Sequence, residues 1–154
     1  STFILGDDAA DRQYRAVLSF DTSSLPDTAV ITSAVIKIKQ AAIVGTNPFS
    51  THGSLLADLN TPYFGSLANL EISDFEAPAS QLAAATFGVT PASGWYSATV
   101  KGLVLPSINL TGTTQFRLRF AKDDNDDLSA DQIKFYSGNA ASDRPMLIIK
   151  YYVP

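Results

Sequence analysis

The chain lacks several residue types on which common enzymes and small scaffolds depend. Its 154 residues include no Cys, one His, one Met and one Trp. Without Cys there is neither a disulfide framework nor a thiolate zinc site. With a single His, any Ser-His-Asp catalytic arrangement has to use His52.

Glu is also scarce, and this scarcity bears on the fold. Of the 15 acidic residues, 13 are Asp and two are Glu, while Ser and Thr together number 29. Asp, Ser and Thr compete with the hydrogen bonds of a helical backbone but suit turns, caps and cation-binding loops. The composition therefore disfavours helices.

Long apolar runs and excess positive charge are missing too. No run reaches the roughly 20 residues that cross a bilayer, and Ser1-Thr2-Phe3 is not the basic start of a signal peptide. We expect one module, residues 1–154, excised from a larger protein and without a membrane partner. A net charge of −4 offers no basic surface to a phosphate backbone, which argues against nucleic acid as a partner.

Apolar and polar residues alternate with a period of two along most of the chain. In one run Phe116, Leu118 and Phe120 face one way and two arginines face the other. In another, Lys37 and Lys39 mark a solvent-facing side. Seven such strands are predicted, at 14–20, 30–40, 54–59, 95–100, 115–121, 132–137 and 146–153. With turn-forming clusters between them, they predict an all-β, antiparallel, jelly-roll-like β-sandwich of about seven to nine strands.

Two local features are harder to assign. In 73–87, Ser73 and Glu76 stand at capping-box spacing before an Ala-rich run, but Pro78 interrupts any long helix. We expect a loop there with at most a short helical turn, lying across one end of the sandwich.

Alternation buries one residue of the pair Trp95 and Tyr96, and Trp95 is expected in the core.

The case for catalysis is weak. His52 lies in a turn-like segment, and no Gly-x-Ser-x-Gly motif occurs, so we expect a half-exposed loop histidine. A glycosidase needs two carboxylates about 5 to 10 Å apart in a cleft. Glu71 and Glu76 lie in an irregular segment, where capping and solvation explain them better. We expect a non-catalytic protein, with a small hydrolase using His52 or the Glu71/Glu76 region as a distant alternative.

The strongest chemical signal is the acidic segment 122–131. Alternate side chains along it carry oxygen, and this spacing can surround a Ca²⁺ ion, which takes six to eight oxygen ligands. The segment is not an EF-hand, because Leu128 stands where that loop needs Gly and Lys134 where it needs Glu.

A second acidic group, at 7–11, precedes the first predicted strand. Two like-charged clusters repel each other unless a cation lies between them or they lie far apart. A shared ion, separate ions and solvated turns without an ion all remain open. The predicted Ca²⁺ ligands are Asp123, Asn125, Asp127 and Asp131, followed by Asp7, Asp8 and Asp11.

Aromatic and basic residues suggest a site for sugars, which need a flat apolar ring with polar groups around it. Tyr63 and Phe64 lie in a turn, where aromatics are harder to explain as core. Arg117 and Arg119, expected to be exposed in tandem on one sheet face, offer contacts to acidic polysaccharide, although solvated arginines explain them too. The predicted ligand-binding residues are Tyr63, Phe64, Arg117, Arg119 and Tyr136.

Three segments, in order, give the chain a family resemblance. It is similar to the secreted bacterial DNRLRE domains, relatives of archaeal disaggregatase domains. The similar segments are Leu18-Ser19-Phe20-Asp21-Thr22-Ser23-Ser24-Leu25-Pro26 with 30–38, the Trp strand Gly94-Trp95-Tyr96-Ser97-Ala98-Thr99-Val100, and Phe135-Tyr136-Ser137-Gly138-Asn139 with 144–152. The resemblance extends over nearly the whole chain.

The resemblance implies a non-catalytic β-sandwich module appended to large extracellular enzymes or surface proteins of bacteria and archaea. Members usually carry one more strand before the segment that matches 3–20, so it also implies a missing first strand. We expect a secreted, monomeric module of a bacterial hydrolase, stabilised by Ca²⁺, that binds a polysaccharide or cell-surface glycan and is linked covalently to catalytic or surface domains. The alternative is a structural or adhesion spacer of a cell-surface protein or protease, without a glycan site.

Overall fold

Antiparallel strands make up most of the backbone. A computed structural model describes residues 1–154. Its strands are β1 (Thr2–Asp7), β2 (Gln13–Tyr14), β3 (Ala16–Asp21), β4 (Val30–Gly45), β5 (Leu55–Asn60), β6 (Gln81–Phe87), β7 (Trp95–Val100), β8 (Thr113–Phe120), β9 (Asp131–Tyr136) and β10 (Met146–Tyr152). Its helices are the α-helix α1 (Pro48–Thr51) and two 3-10 helices, Ile72–Phe75 and Gly102–Ser107. None of them has the length and apolarity needed to span a membrane.

The strands follow the order β2-β1-β9-β4-β7-β6-β5-β8-β3, with β10 paired to β4. The 16-residue strand β4 joins two parts of this path. Its first half pairs with β10 and β7, and its last residues pair with β9 after an irregularity between Gln40 and Ala42. The result is the predicted all-β, antiparallel β-sandwich.

Ten strands are present instead of about seven to nine, for three reasons. The sequence prediction omitted β1, in which Gly6 and Asp7 end the apolar alternation. It joined β2 and β3, which separate at Arg15. It also read Gln81–Phe87 as a loop with helical potential, whereas this segment is β6, paired with β5 and β7.

The core lies between the two layers and follows the predicted alternation. Ile36 and Ile38 are fully buried, while Lys37 and Lys39 between and beside them are half-buried on the opposite face. Aromatic rings join the layers, and Phe49 stacks on Tyr96 with ring centroids 4.9 Å apart. Each large apolar side chain buried in this way contributes about 1.5–3 kcal/mol to the free energy of unfolding.

Tyr96, and not Trp95, is the core member of the aromatic pair. Tyr96 is 2% exposed, whereas Trp95 is half-buried on the outer face opposite Lys39. The expectation that Trp95 is buried is therefore wrong. Alternation separates the two residues but does not say which of them faces the core.

The segment 61–80 lies over the outer face of β8. It contains the first part of 73–87, so the expectation that 73–87 lies as a loop across one end of the sandwich is wrong. Gln115 accepts a hydrogen bond from the Phe64 amide (2.8 Å) and donates to the Ala68 carbonyl (3.0 Å). Arg117 donates to the Ala77 carbonyl (2.7 Å). Side chains that alternation turns away from the core thus bind the backbone of this segment.

The helical turn expected within 73–87 is present but begins earlier. In the 3-10 helix Ile72–Phe75, the side chains of Glu71 and Asp74 form the capping box, so Ser73 and Glu76 do not fill that role. Glu71 also accepts a hydrogen bond from the Ser66 hydroxyl at 3.0 Å. Its carboxylate therefore serves the local turn structure.

Candidate metal centre

His52 is buried by the short turn that contains α1. The Asn47 side chain caps this turn by accepting a hydrogen bond from the Phe49 amide (3.1 Å), and Pro48 occupies its first position. The His52 amide closes the turn on the Pro48 carbonyl at 2.7 Å. His52 is 1% exposed, so the expectation of a half-exposed loop histidine is wrong.

Two buried aspartates stand directly opposite each other across β1 and β9. Asp7 pairs with Asp131, and both are 0% exposed. Leu5 and Ile133, two positions away on the same strands, are core residues, so alternation turns both carboxylates inward as well. Side chains opposite each other in an antiparallel pair are neighbours, and two like charges there destabilise the sheet.

The imidazole of His52 lies against both carboxylates. Its Nε2 is 3.2 Å from Asp7 Oδ2, and its Nδ1 is 3.8 Å from Asp131 Oδ2 and 2.8 Å from the Thr51 hydroxyl. One ligand atom from each of Asp7, His52 and Asp131 can be chosen so that all lie within 4.8 Å of one another. We call these three residues the Asp-His-Asp centre.

The Asp-His-Asp centre leaves buried polar atoms without hydrogen-bond partners. They are Asp7 Oδ1, Asp131 Oδ1 and His52 Nε2. A buried charge without a partner costs several kcal/mol, and two buried carboxylates side by side add mutual repulsion. A cation bound among these atoms would remove both costs.

The two acidic segments of the sequence meet at this centre. The Asn125 amide nitrogen Nδ2 donates to Asp131 Oδ2 and to Asp127 Oδ2, each at 3.0 Å, and the Asn125 backbone N–H lies 3.4 Å from Asp7 Oδ2. Asp127 is exposed and joins the centre only through Asn125. The two acidic clusters therefore lie next to each other in the structure and not far apart.

Asp11 lies at the edge of the same acidic region. Its Oδ1 is buried without a hydrogen-bond partner. Desolvation raises the pKa of the Asp11 carboxyl, and the neighbouring charges of Asp124, Asp126 and Asp7 raise it further. The region thus concentrates negative charge around the Asp-His-Asp centre.

Two of the predicted ligands are engaged elsewhere. Asp8 forms an ion pair with Arg12 (2.7 Å) and accepts a hydrogen bond from the Tyr14 hydroxyl (2.9 Å). The Arg12 guanidinium holds the pKa of Asp8 well below its usual range. Both carboxylate oxygens of Asp123 accept hydrogen bonds from Arg15, at 3.2 and 2.6 Å. Arginine therefore already neutralises these two carboxylates.

Two of the predicted sugar-binding residues, Phe64 and Arg117, are buried. Phe64 is fully buried beneath the Arg117 guanidinium, which lies 4.6 Å from its ring centroid. Arg117 is 4% exposed, and Arg119 is half-buried beside Asp58. The expectation that these arginines are exposed in tandem is wrong, because segment 61–80 covers Arg117 and Asp58 binds Arg119.

The two remaining sugar-site candidates, Tyr63 and Tyr136, lie on different elements. Tyr63 is half-buried in segment 61–80, and Tyr136 is half-buried at the end of β9, opposite Thr2. Neither lines a surface depression.

A different aromatic residue, Trp95, is partly exposed among charged side chains. Trp95 lines a shallow depression of about 400 Å³ together with Asp143 and Arg144. The ammonium groups of Lys37 and Lys39 lie 5.4 and 5.8 Å from its ring centroid. The two lysine ammonium groups thus lie over a partly exposed flat ring, and Lys39 is also paired with Asp143 at 2.9 Å. We call this group the Trp95 surface.

Comparison with known proteins does not extend these observations. No protein-family model matches the chain, and no curated protein matches it.

Proposed function

We propose that the chain is a non-catalytic β-sandwich module of a larger secreted protein, stabilised by a divalent cation at the Asp-His-Asp centre. The observation that supports this proposal is the set of buried, unpartnered donor atoms on Asp7, His52 and Asp131. Asp7 lies in β1, His52 ends the turn that contains α1, and Asp131 lies in β9. A cation there would tie together segments that are distant in the sequence.

A structural role fits the centre better than a catalytic one. No surface depression is lined by any of its three residues. Catalytic metal sites keep a position open to water or substrate, whereas structural sites are closed. The same burial separates His52, the single histidine, from any substrate.

We predict that removing the cation lowers the thermal stability of the chain. An ion present at 100 times its Kd stabilises the folded state by about 2.7 kcal/mol. For a chain of this length that corresponds to a decrease in Tm of roughly 5–10 °C when a chelator is added. Differential scanning calorimetry with and without chelator, together with elemental analysis of the purified chain, measures this effect.

An Asp7→Asn variant provides the sharper form of the same test. It removes one ligand but also the repulsion between Asp7 and Asp131, so its Tm should not respond to chelator. In chelator it should be at least as stable as the wild-type chain. Asp27→Asn, at an exposed position between β3 and β4, is the matched control and should keep the full response. A wild-type chain without bound metal and with an unchanged Tm would contradict the proposal.

Carbohydrate binding is the second candidate function, and the observation that favours it is the Trp95 surface. We propose it as the contact through which the module holds a polysaccharide or cell-surface glycan while a linked catalytic domain acts. Such tethering raises the local concentration of an enzyme on an insoluble polymer without changing its chemistry. Without a glycan ligand, the module would serve as a structural or adhesion spacer.

We predict that Trp95→Ala abolishes binding to insoluble polysaccharide, while Tyr63→Ala retains it. Stacking requires the flat indole, whereas Tyr63 is half-buried in segment 61–80. Pull-down on a panel of insoluble polysaccharides, followed by a glycan array, measures this for the wild type and both variants. Loss of binding only in Tyr63→Ala would place the contact on segment 61–80. No binding by the wild type would favour the spacer function.

A further inference from the structure

We infer that the Asp-His-Asp centre selects a divalent transition-metal ion of the Zn²⁺ type over Ca²⁺. This inference rests on the proposed cation binding and concerns the identity of the ion. Imidazole nitrogen suits Zn²⁺, Co²⁺ and Ni²⁺, whereas Ca²⁺ takes six to eight oxygen ligands. Zn²⁺ accepts a mixed set of His nitrogen and Asp oxygen donors.

The histidine nitrogen faces the carboxylates in a manner suited to a ligand. His52 Nε2 is buried, has no hydrogen-bond partner and lies 3.2 Å from Asp7 Oδ2. Two ligands of one Zn²⁺ ion, each at about 2.0–2.1 Å and at a tetrahedral angle, lie about 3.3 Å apart. The separation of these two atoms therefore allows both to be donors to the same ion.

A second contact fixes the orientation of the ring. His52 Nδ1 lies 2.8 Å from the Thr51 hydroxyl. When Nδ1–H donates to that hydroxyl, Nε2 carries the free lone pair. Histidine ligands to metals ordinarily have such a partner on the other nitrogen, and it fixes both the tautomer and the ring orientation. The Phe120 ring, edge-on to the imidazole at 6.0 Å between centroids, provides an apolar neighbour.

The oxygen atoms around the centre that lack a hydrogen-bond partner are fewer than the six to eight that Ca²⁺ takes. Asp7 and Asp131 each present one such carboxylate oxygen, and Asp11 Oδ1, at the edge of the acidic region, is a third. The amide group of Asn125 turns its nitrogen toward Asp131 and Asp127. The neighbouring carboxylate of Asp123 is held by arginine. A donor set that includes an imidazole nitrogen and few free oxygens suits a four-coordinate Zn²⁺ ion better than a Ca²⁺ ion, which takes a shell of six to eight oxygens.

The test compares ions on the full chain after treatment with a chelator and dialysis. Zn²⁺, Co²⁺, Mn²⁺, Ca²⁺ and Mg²⁺ are added separately, with Tm and calorimetric titration as readouts, and visible absorption reports the coordination of Co²⁺. We expect Zn²⁺ and Co²⁺ to raise the Tm at micromolar concentration and Ca²⁺ and Mg²⁺ to leave it unchanged.

Variants at and beside the histidine assign the ion to this centre. His52→Asn replaces the ring nitrogen by an amide and should weaken Zn²⁺ binding more than about 100-fold, since losing a ligand exceeds the about 10- to 100-fold effect of losing its hydrogen-bond partner. Thr51→Val removes only that partner and should weaken binding by about 10- to 100-fold. Because Thr51→Val keeps the imidazole in place, it serves as the test if His52→Asn does not fold.

Each outcome has a definite meaning. An increase in Tm with Ca²⁺ but not with Zn²⁺ overturns this inference and leaves the proposed cation stabilisation intact. No increase with any ion overturns both. Zn²⁺ binding that is unchanged in both His52→Asn and Thr51→Val places the ion elsewhere on the chain and overturns the inference.

Discussion

Asp58→Ala is expected to lower the free energy of unfolding by about 3–5 kcal/mol, the cost of leaving buried charges without their partner. Asp58 is 0% exposed and accepts hydrogen bonds from Arg117 Nη2 at 3.0 Å and from Arg119 Nε at 2.8 Å. The Ala83 amide donates to the same carboxylate at 2.9 Å. Without the Asp58 carboxylate, the two guanidinium groups on the outer face of β8 would lose their counter-ion.

The effect of Asp58→Ala should spread to segment 61–80, because Arg117 binds the carbonyls of Asp74 and Ala77. Chemical denaturation gives the change in stability. Hydrogen exchange at the Phe64 amide, which donates to Gln115, shows whether the segment detaches. The control is Asp27→Ala at an exposed position, expected to change stability by less than about 0.5 kcal/mol. A loss below about 1 kcal/mol in Asp58→Ala would mean that the outer arginine layer does not stabilise the fold.

The same aspartate should contribute to acid sensitivity. Burial by itself would raise the pKa of Asp58, but hydrogen bonds from Arg119, the Ala83 amide and Arg117 outweigh it and lower the pKa below its usual range. A carboxyl with a lower pKa in the folded state stabilises the fold above its unfolded pKa of about 3.9, and the stabilisation is lost as the pH falls through the folded pKa. Below about pH 4, the stability of the wild type should therefore fall more steeply than that of Asp58→Ala, when both are measured without added metal.

Alternation along the sequence predicts strands well because it reports which face of a strand is buried. It predicts the inward residues of β8 and the outward arginines correctly. It does not predict that Arg117 is covered, since the cover comes from segment 61–80, far away in the sequence. Exposure on the outer face of a sheet depends on what packs there, and a two-residue period carries no such information.

One local error has the same origin. The run Leu82-Ala83-Ala84-Ala85 has helical propensity, yet it lies within β6, because the pairing of β6 with β5 and β7 outweighs a weak local preference. Ala83 has φ 46°, which marks an irregularity in that strand. Propensity is a local quantity, whereas strand pairing depends on residues far away in the sequence.

The candidate metal centre was partly visible in the sequence. The acidic segments at 7–11 and 122–131 predict a cation, and Asp7 and Asp131, one from each segment, belong to the Asp-His-Asp centre. The sequence does not indicate His52 as a member of the Asp-His-Asp centre, because nothing near it in the sequence links it to either aspartate. Asn47 and Pro48 are typical of a helix start, and they indicate the turn that buries His52. The partners of the imidazole, however, are brought together by the pairing of β1 with β9.

Gly6→Ala is expected to lower the free energy of unfolding by about 3 kcal/mol or more. Gly6 has φ +106°, a backbone conformation that costs other residues about 1–3 kcal/mol. A Cβ atom there would lie 1.9 Å from the backbone oxygen of Asp131. Relief of that overlap requires β1 and β9 to separate, and forced shifts of this kind cost about 1–3 kcal/mol more.

The backbone oxygen that a Cβ at position 6 would overlap belongs to Asp131. Gly6→Ala should therefore also disturb the Asp-His-Asp centre. We expect the variant to lack the decrease in Tm that we predict for the wild type in chelator, and to be less stable than the wild type in chemical denaturation. Gly88→Ala is the matched control, since a Cβ there has no atom within 4 Å. A Gly6→Ala chain that keeps both wild-type stability and the metal response would mean that β1 and β9 can part without moving the ligands. The cation would then not depend on the close approach of these two strands.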